Sequence, residues 1–218
     1  MNKLNDVNNI AIYGAGGLGR EVALLISQIN GVKPMWKFIG FFDDQMTKGQ
    51  QIDGSSVLGG MDDLNQYNQP LALAVAIAAP SVRKEVVSKI RNERVEFPTL
   101  IHPGANTGSD KNGIGHGCII TAGCILTTGI CIEDFVMINL ATTIGHDAVL
   151  GQFTSVMPGC HISGNVKMGS ETLMGTGASI LQNITIGANS IIGAGAVVTK
   201  SFPSHSKLVG VPATNRSK

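Results

Sequence analysis

The chain has 218 residues, enough for one large or two modest domains, and a formal net charge of +1. A charge so close to zero disfavours nucleic acid or a membrane surface as a partner. No apolar run approaches the roughly 20 residues of a membrane helix, and residues 1–9 are polar. We therefore expect neither a signal peptide nor a membrane span, and a cytoplasmic location.

Residues 1–100 predict an α/β domain of the half-Rossmann type, a small βαβαβ unit. A buried strand at 9–13 is followed by a glycine loop and by a helix over 20–30, whose apolar residues recur at helical spacing. The later elements are a strand at 38–42, a continuous apolar strand at 71–78, a helix at 81–92 with Ser81 as N-cap, and a short strand at 95–97.

The glycine loop runs from Gly14 through Ala15, Gly16, Gly17 and Leu18 to Gly19. Between a strand and a helix, such glycines let backbone N–H groups approach a pyrophosphate at the helix N-terminus. The second strand ends in Asp43-Asp44, where a carboxylate can accept hydrogen bonds from a ribose or a base N–H. This order favours nucleotide binding over a plain tight turn. Because no second mononucleotide-binding half follows, a nucleotide-sugar fits better than a redox dinucleotide.

Residues 101–218 carry a six-residue repeat. Every sixth residue is aliphatic: Ile114, Ile120, Leu126, Ile132, Ile138, Ile144, Leu150, Val156, Ile162, Met168, Met174, Ile180, Ile186, Ile192 and Val198. This period fits coils of three short strands, about eighteen residues each, that stack as a parallel β-helix. Residues eighteen apart, such as Ile114 and Ile132, should then stack vertically.

Two other residue classes follow the same period. A small or β-branched residue often comes four places after the aliphatic one, and Cys118, Cys124 and Cys160 occupy such places. Packing is therefore favoured over a disulfide or a metal for these cysteines. Glycine often follows the aliphatic residue directly, where we expect it to tolerate the backbone of a turn.

Polar exceptions to the repeat are the candidates for chemistry. His146 lies two places after Ile144, off the inward phase and near a corner, and Asp147 follows it. A neutral imidazole on a rigid surface can deprotonate an amine or hydroxyl, and a carboxylate can fix its tautomer. Adjacent side chains often point apart, so this pairing requires a corner that turns them together. Taken alone, the pair favours a solvated polar corner.

The whole arrangement resembles the bacterial nucleotide-amino-sugar acetyltransferases, including bacillosamine- and perosamine-type N-acetyltransferases and sialic-acid O-acetyltransferase-like proteins. The resemblance extends from Ile10 to Ala213 and includes the glycine loop, Phe42-Asp43-Asp44, Ile138-Asn139, the run 144–147, Leu150-Gly151-Gln152-Phe153 and the closing run 209–213. It implies a left-handed β-helix, a homotrimer with shared active sites, and acetyl-CoA as co-substrate without a metal.

The resemblance also implies roles for individual residues. His146 would be the general base and Asp147 its partner, while Asn139 would contact the sugar or its amine. On the nucleotide side, the diphosphate would lie on Gly14, Ala15 and Gly16, the nucleoside on Asp43 and Asp44, and the turn at Ala78 would border the same pocket. Acetyl-CoA would lie against Thr176 and Ala194. Many members carry a second histidine nine residues after the first, near acetyl-CoA; here Ser155 stands at that place and would donate one hydrogen bond to the co-substrate.

The expected activity is acetyl transfer to the 4-amine of a UDP-linked 4-amino-sugar through a ternary complex, since no cysteine is suitably placed as an acyl carrier. A GDP- or dTDP-linked amino-sugar and a sialic-acid-like O-acetyl acceptor remain alternatives. A zinc-dependent carbonic anhydrase is disfavoured, because His116, His146 and His161 are not separated by multiples of eighteen. A scaffold without activity would have no need of His146 or the glycine loop.

Overall fold

The computed structural model of the chain describes residues 8–216. They form two compact units, one reaching to Ala78 and resuming at Val82–Pro103, the other comprising Ala79–Ser81 and the chain from Gly104 onward. Among the residues described, no helix is long and apolar enough to cross a membrane.

The first unit is built on a six-stranded sheet with the strand order β3-β4-β2-β1-β5-β6. Its pairs are parallel except for the β3–β4 hairpin. The elements up to the boundary are β1 (Asn8–Tyr13), α1 (Gly17–Val32), β2 (Trp36–Phe42), β3 (Gln51–Ile52), β4 (Ser55–Gly59), α2 (Met61–Asn65), β5 (Leu71–Val75), α3 (Pro80–Lys89), β6 (Val95–Glu96) and β7 (Leu100–Ile101).

The core of this unit follows from its apolar pattern. Strands β1 and β5 are buried on both faces, as expected of central parallel strands, and α1 buries the helical stripe that includes Val22, Leu25 and Ile26. The half-Rossmann prediction is therefore confirmed. The N-cap prediction for Ser81 is wrong, because α3 already begins at Pro80, a residue whose fixed φ suits the first turn.

The second unit is a left-handed parallel β-helix of two-residue strands. One face contains β10 (Ile125–Leu126), β13 (Thr143–Ile144), β16 (His161–Ile162), β19 (Ser179–Ile180) and β22 (Val197–Val198). A second contains β8 (Gly113–Ile114), β11 (Cys131–Ile132), β14 (Val149–Leu150), β17 (Lys167–Met168) and β20 (Thr185–Ile186). The third contains β9 (Ile119–Ile120), β12 (Met137–Ile138), β15 (Ser155–Val156), β18 (Leu173–Met174), β21 (Ile191–Ile192), β23 (Lys207–Val209) and the antiparallel β24 (Thr214–Asn215).

The register confirms the eighteen-residue coil. Ile114 pairs with Ile132, Ile132 with Leu150, and Leu150 with Met168. The aliphatic residues of the repeat are at most 2% exposed from Ile120 to Val198, and only Ile114, in the first coil, is partly exposed. The three faces thus enclose a prism-shaped interior. It is filled by the aliphatic residue of each strand and by the small or β-branched residue four places later, at the following corner.

The explanation expected for the glycines after the aliphatic residues is wrong. None of Gly145, Gly151 and Gly175 has a positive φ; instead, a Cβ on each would lie 2.6 Å from a backbone nitrogen of the next coil. Close stacking of the coils, not turn conformation, therefore excludes a side chain there. The left-handed backbone conformation occurs two residues after the place that these glycines occupy in the repeat. Residues as different as Phe135, Asp147 and Asn165 adopt it.

Candidate active site

His146 and Asp147 form a hydrogen-bonded pair on one corner of the β-helix. His146 Nδ1 lies 2.9 Å from Asp147 Oδ2. Because a carboxylate oxygen only accepts, Nδ1 carries the proton, and Nε2 of the neutral ring keeps its lone pair. The two side chains are 63% and 65% exposed, so the pair adds little to stability. The geometry instead leaves a basic nitrogen of fixed tautomer on an exposed side chain.

The backbone of the corner explains why two adjacent side chains meet. Asp147 has a φ of 59°, in the left-handed region that Asp and Asn adopt more readily than most residues. Asp147 N donates to Thr128 O at 3.0 Å, and Asn165 N donates to His146 O at 2.7 Å. The coils before and after therefore hold the corner, and its left-handed residue turns the carboxylate toward the imidazole.

The other residues predicted for the coil site lie in different environments. Thr176 and Ala194 are exposed and stack in successive coils, with Gly195 N donating to Thr176 O at 2.9 Å. Asn139 is 6% exposed, and its Oδ1 accepts from Leu140 N at 2.8 Å. Ser155 is completely buried, so a co-substrate could contact it only if a neighbouring residue moved. Its contact with acetyl-CoA therefore stays a prediction.

Two glycines of the loop, Gly14 and Gly19, lie where the neighbouring backbone leaves no room for a side chain. Gly14 has a φ of 102°, and a Cβ there would lie 2.8 Å from Ala76 O, which brings the loop against the end of β5 near Ala78. Gly19 is the point where α1 meets the carbonyl of Gly14 with no room for a side chain. Gly16, the N-cap of α1, has nothing within 4 Å of its Cβ position. The helix N-terminus is thus open at Gly16.

Asp43 and Asp44 are already engaged by their own unit. Asp43 Oδ2 accepts from Ala15 N and Oδ1 from Gln45 N, both at 2.8 Å. Asp44 Oδ1 accepts from Met61 N at 2.7 Å, and Oδ2 accepts from the Tyr13 hydroxyl at 2.6 Å. The Ala15 N–H that was expected to face a diphosphate is therefore bonded to a carboxylate in this structure, and Asp43 shapes the loop.

These two carboxylates line an open cleft of about 300 Å³. Its other lining residues are Met46, Lys48, Gly59, Gly60, Met61, Asp62 and Asp63. Lys48 pairs with Asp63, and this pairing lowers the pKa of the Asp63 carboxyl. Burial, followed by the hydrogen bond to Asp44, raises the pKa of Tyr13 well above its ordinary value, so its hydroxyl remains a donor. The cleft therefore has a strongly acidic lining and few cations.

Two residues of this unit escaped the sequence analysis. Tyr13 was placed in a buried strand with no role for its side chain, yet its hydroxyl donates a hydrogen bond to Asp44. Arg83, a residue of the predicted helix with no assigned role, is 2% exposed, and its Nη1 donates to the carbonyls of Ile77 and Ala78. A guanidinium in this position stabilises the turn after β5. No pattern in the sequence separates Arg83 from the exposed cations of the same helix.

The coil histidines do not converge. His116 lies at another corner, where its Nδ1 is 2.9 Å from Asp134 Oδ1. His161 lies on a face, where its Nδ1 is 2.9 Å from Thr143 Oγ1. Within residues 8–216, no group of three or more His, Cys, Asp or Glu side chains is arranged to hold a metal ion.

Comparison with known proteins gives matches in both units. The PglD N-terminal domain family matches residues 9–90, and the bacterial transferase hexapeptide family (six repeats) matches residues 165–200. The chain is 32% identical over 160 residues to GDP-perosamine N-acetyltransferase of Escherichia coli O157:H7, an alignment that covers 73% of this chain and 72% of the relative.

Solved structures agree over almost the full length. The acetyltransferase domain of PglB from Neisseria gonorrhoeae FA1090, in complex with acetyl coenzyme A, matches with a TM-score of 0.87 and 32% identity, covering 95% of this chain and 98% of that one. PerB from Caulobacter crescentus, in complex with CoA and GDP-perosamine, matches with a TM-score of 0.86 and 27% identity, covering 97% and 98%. The chain belongs to the bacterial nucleotide-amino-sugar acetyltransferase family and is an acetyltransferase.

Proposed function

We propose that the protein transfers the acetyl group of acetyl-CoA to the amine of a nucleotide-linked amino-sugar, with His146 as general base. The observation that carries the proposal is the His146–Asp147 pair, because it leaves Nε2 unprotonated on an exposed side chain. The relatives support the substrate class, since their names specify a GDP-linked amino-sugar, CoA and acetyl-CoA.

The pair supports a direct transfer. The neutral amine attacks the thioester carbonyl, so that an N–C bond forms and the C–S bond then breaks. Nε2 of His146 accepts the proton that the amine loses and can return it to the departing thiolate. Asp147 stabilises the imidazolium formed in between, since its carboxylate already accepts the Nδ1–H. No side chain needs to carry the acetyl group in this scheme.

The N-terminal unit is proposed to bind the nucleotide diphosphate at the open N-terminus of α1, around Gly14 and Gly16. Unpaired N–H groups and the helix dipole favour an anion there, and no acidic side chain lies in the first turn. Asp44 and the acidic cleft are proposed to contact the nucleoside, whose base and ribose donate hydrogen bonds. We favour UDP, with GDP as the alternative that the named relatives raise.

A thiol-release assay with acetyl-CoA and a panel of nucleotide-sugars tests this proposal. We expect release of CoA only with 4-amino-sugars, and the highest kcat/KM should identify the nucleotide. Acetylation of an O-acceptor such as a sialic-acid-like sugar, with no turnover of any amino-sugar, would reject the amine assignment. CoA release that is independent of every sugar would reject an acceptor of this class.

Exchange of Cys131 for serine should leave kcat within about twofold of wild type. Cys131 is the exposed cysteine, whereas Cys124 and Cys160 are buried, and burial raises the pKa of both thiols. Initial-rate patterns for the two substrates should intersect, as a ternary complex requires. Parallel lines together with loss of activity in Cys131→Ser would instead indicate an acetyl-cysteine intermediate.

We expect the protein to be a trimer in solution. Large aliphatic side chains, including Ile125, Leu181 and Ile191, are exposed on the β-helix of the single chain, and a neighbouring copy would cover them. Light scattering should give about three times the chain mass of 22.7 kDa. Full activity of a species with the mass of one chain would contradict the assembly and the shared site that the family resemblance implies.

A further inference from the structure

We infer that Gly164 is a positioning residue for His146, because its missing side chain is the space that the imidazole occupies. The inference rests on the proposed function, which makes His146 the base. Gly164 lies one coil above His146, eighteen residues later. A Cβ on Gly164 would lie 2.6 Å from His146 Cε1 and 2.9 Å from Cδ2, and closer still to Nε2.

The repeat itself marks Gly164 as unusual. It occupies the corner place two residues after each inward aliphatic residue, and it is the one glycine among the residues at that place: His116, Ala122, Thr128, Asp134, Leu140, His146, Gln152, Pro158, Gly164, Ser170, Thr176, Gln182, Ala188, Ala194 and Lys200. The φ of Gly164 lies outside the left-handed region. The corner backbone therefore accepts a side chain at this place, and the three atoms nearest to a Cβ on Gly164 all belong to the His146 ring from the coil below.

Asp147 is confined in the same way from the other side. A Cβ on Gly129, one coil below, would lie 2.5 Å from Asp147 Oδ1. The base and its carboxylate partner are thus stacked between two glycines, Gly164 above the imidazole and Gly129 below the carboxylate. Gly129 also has a φ of 68°, which by itself favours glycine, so Gly164 is the position where the effect of the missing side chain can be tested alone.

A methyl group at position 164 should move the ring rather than the coil. Carbon atoms in contact prefer separations of about 3.5–4.0 Å, so the imidazole must shift by roughly 1 Å. Such a shift lengthens the 2.9 Å contact between Nδ1 and Asp147 beyond hydrogen-bonding distance. The ring is the exposed end of a flexible side chain, so folding is expected to tolerate the change. A displacement of about 1 Å in a catalytic group can cost about a hundredfold in rate.

The test is a double-mutant cycle with Gly164→Ala, His146→Ala and the double variant, assayed with acetyl-CoA and the best nucleotide-sugar of the panel. We expect Gly164→Ala to lower kcat by about ten- to a hundredfold, with both KM values within about twofold. In the His146→Ala background, the same change should have no further effect, because the clash is gone. Gly113→Ala is the matched control, since Gly113 has no positive φ and nothing within 4 Å of its Cβ position.

Nitrogen-15 NMR of the imidazoles gives a readout besides activity. The chain has five histidines, and the spectrum of His146→Ala assigns the missing signal. Wild-type His146 should show the Nδ1–H tautomer when neutral, and Gly164→Ala should lose that preference. If Gly164 were needed only for folding, its substitution would not change the His146 tautomer in a protein that still forms the trimer.

Each other outcome rejects the inference. Wild-type kcat and tautomer in Gly164→Ala would show that the ring does not depend on the glycine. An equal loss of kcat in both backgrounds, or a lower Tm that persists in the double variant, would show that Gly164 acts on something other than His146. Wild-type kcat in His146→Ala rejects the proposed base and this inference with it, whereas a loss there with normal Gly164→Ala kinetics rejects the inference alone.

Discussion

Replacing His146 with alanine should lower kcat by at least about a hundredfold, because general-base assistance typically contributes 10²–10⁴-fold. The side chain is exposed and its contact with Asp147 is a surface pair, so the solution mass and the Tm should be unchanged. The kcat/KM profile of the wild type should have a limb that rises with pH, because a general base acts in its unprotonated form, and this limb should vanish in the variant. Steady-state kinetics across pH measure both effects.

His116→Ala is the matched control for this experiment. His116 is similarly exposed and its Nδ1 also lies 2.9 Å from a carboxylate, that of Asp134, but at a different corner of the β-helix. We expect kcat within about twofold of wild type. The acceptor amine must also be neutral to react and could produce a similar pH limb, so the profile of His146→Ala is decisive. An unchanged kcat and an unchanged limb in that variant would mean that the base lies elsewhere.

Replacing Gly16 with valine should raise the nucleotide-sugar KM about ten- to a hundredfold and leave acetyl-CoA binding little changed. Gly16 has open space around its Cβ position, so the unit should fold normally, and the valine would occupy the approach to the N-terminus of α1. A hydrogen bond to a charged group contributes about 1.5–3 kcal/mol, and each 1.4 kcal/mol changes affinity about tenfold. Losing one such bond to the diphosphate accounts for the expected range.

Gly31→Val controls for the substitution itself. Gly31 lies in the last turn of the same helix, roughly 20 Å along its axis, and also has nothing within 4 Å of its Cβ position. Both KM values should stay at wild type in this variant. If Gly16→Val weakens the nucleotide-sugar and acetyl-CoA equally, the loop has a structural role and the proposed diphosphate site is wrong.

Much of the N-terminal unit could be predicted because its strands and helices have strong local patterns. The buried run at β1, the helical stripe of α1 and the apolar β5 were each predicted within a few residues of their observed bounds. The β3–β4 hairpin and the one-turn helix α2 were not, although β4 pairs in parallel with β2. These segments are short, polar and rich in glycine, so their structure depends on the sheet edge they join and not on their own periodicity.

The sequence singled out residues for the candidate site but did not predict their contacts. His146 and Asp147 were singled out as exceptions to the repeat, whereas the hydrogen bond between them depends on the left-handed φ of Asp147. In the N-terminal unit, a predicted ligand contact is replaced by contacts within the chain. Asp43 was assigned to the ligand because it ends a strand, yet in the structure its two oxygens accept from Ala15 and Gln45. A strand-end position predicts where a carboxylate lies but not which donor it meets.

The sequence by itself determined the prism, since a six-residue repeat is a local pattern and each coil repeats the same inward residues eighteen places on. It equally determined that a glycine loop opens the first helix. The repeat also predicted that residues eighteen apart stack, but only the tertiary structure decided how close their side chains come across coils. Gly164 lies above His146, and Gly129 lies below Asp147. Each glycine is eighteen residues from its partner and contacts it only when the coils stack. The distance between stacked coils determines that contact, and no local sequence pattern predicts this distance.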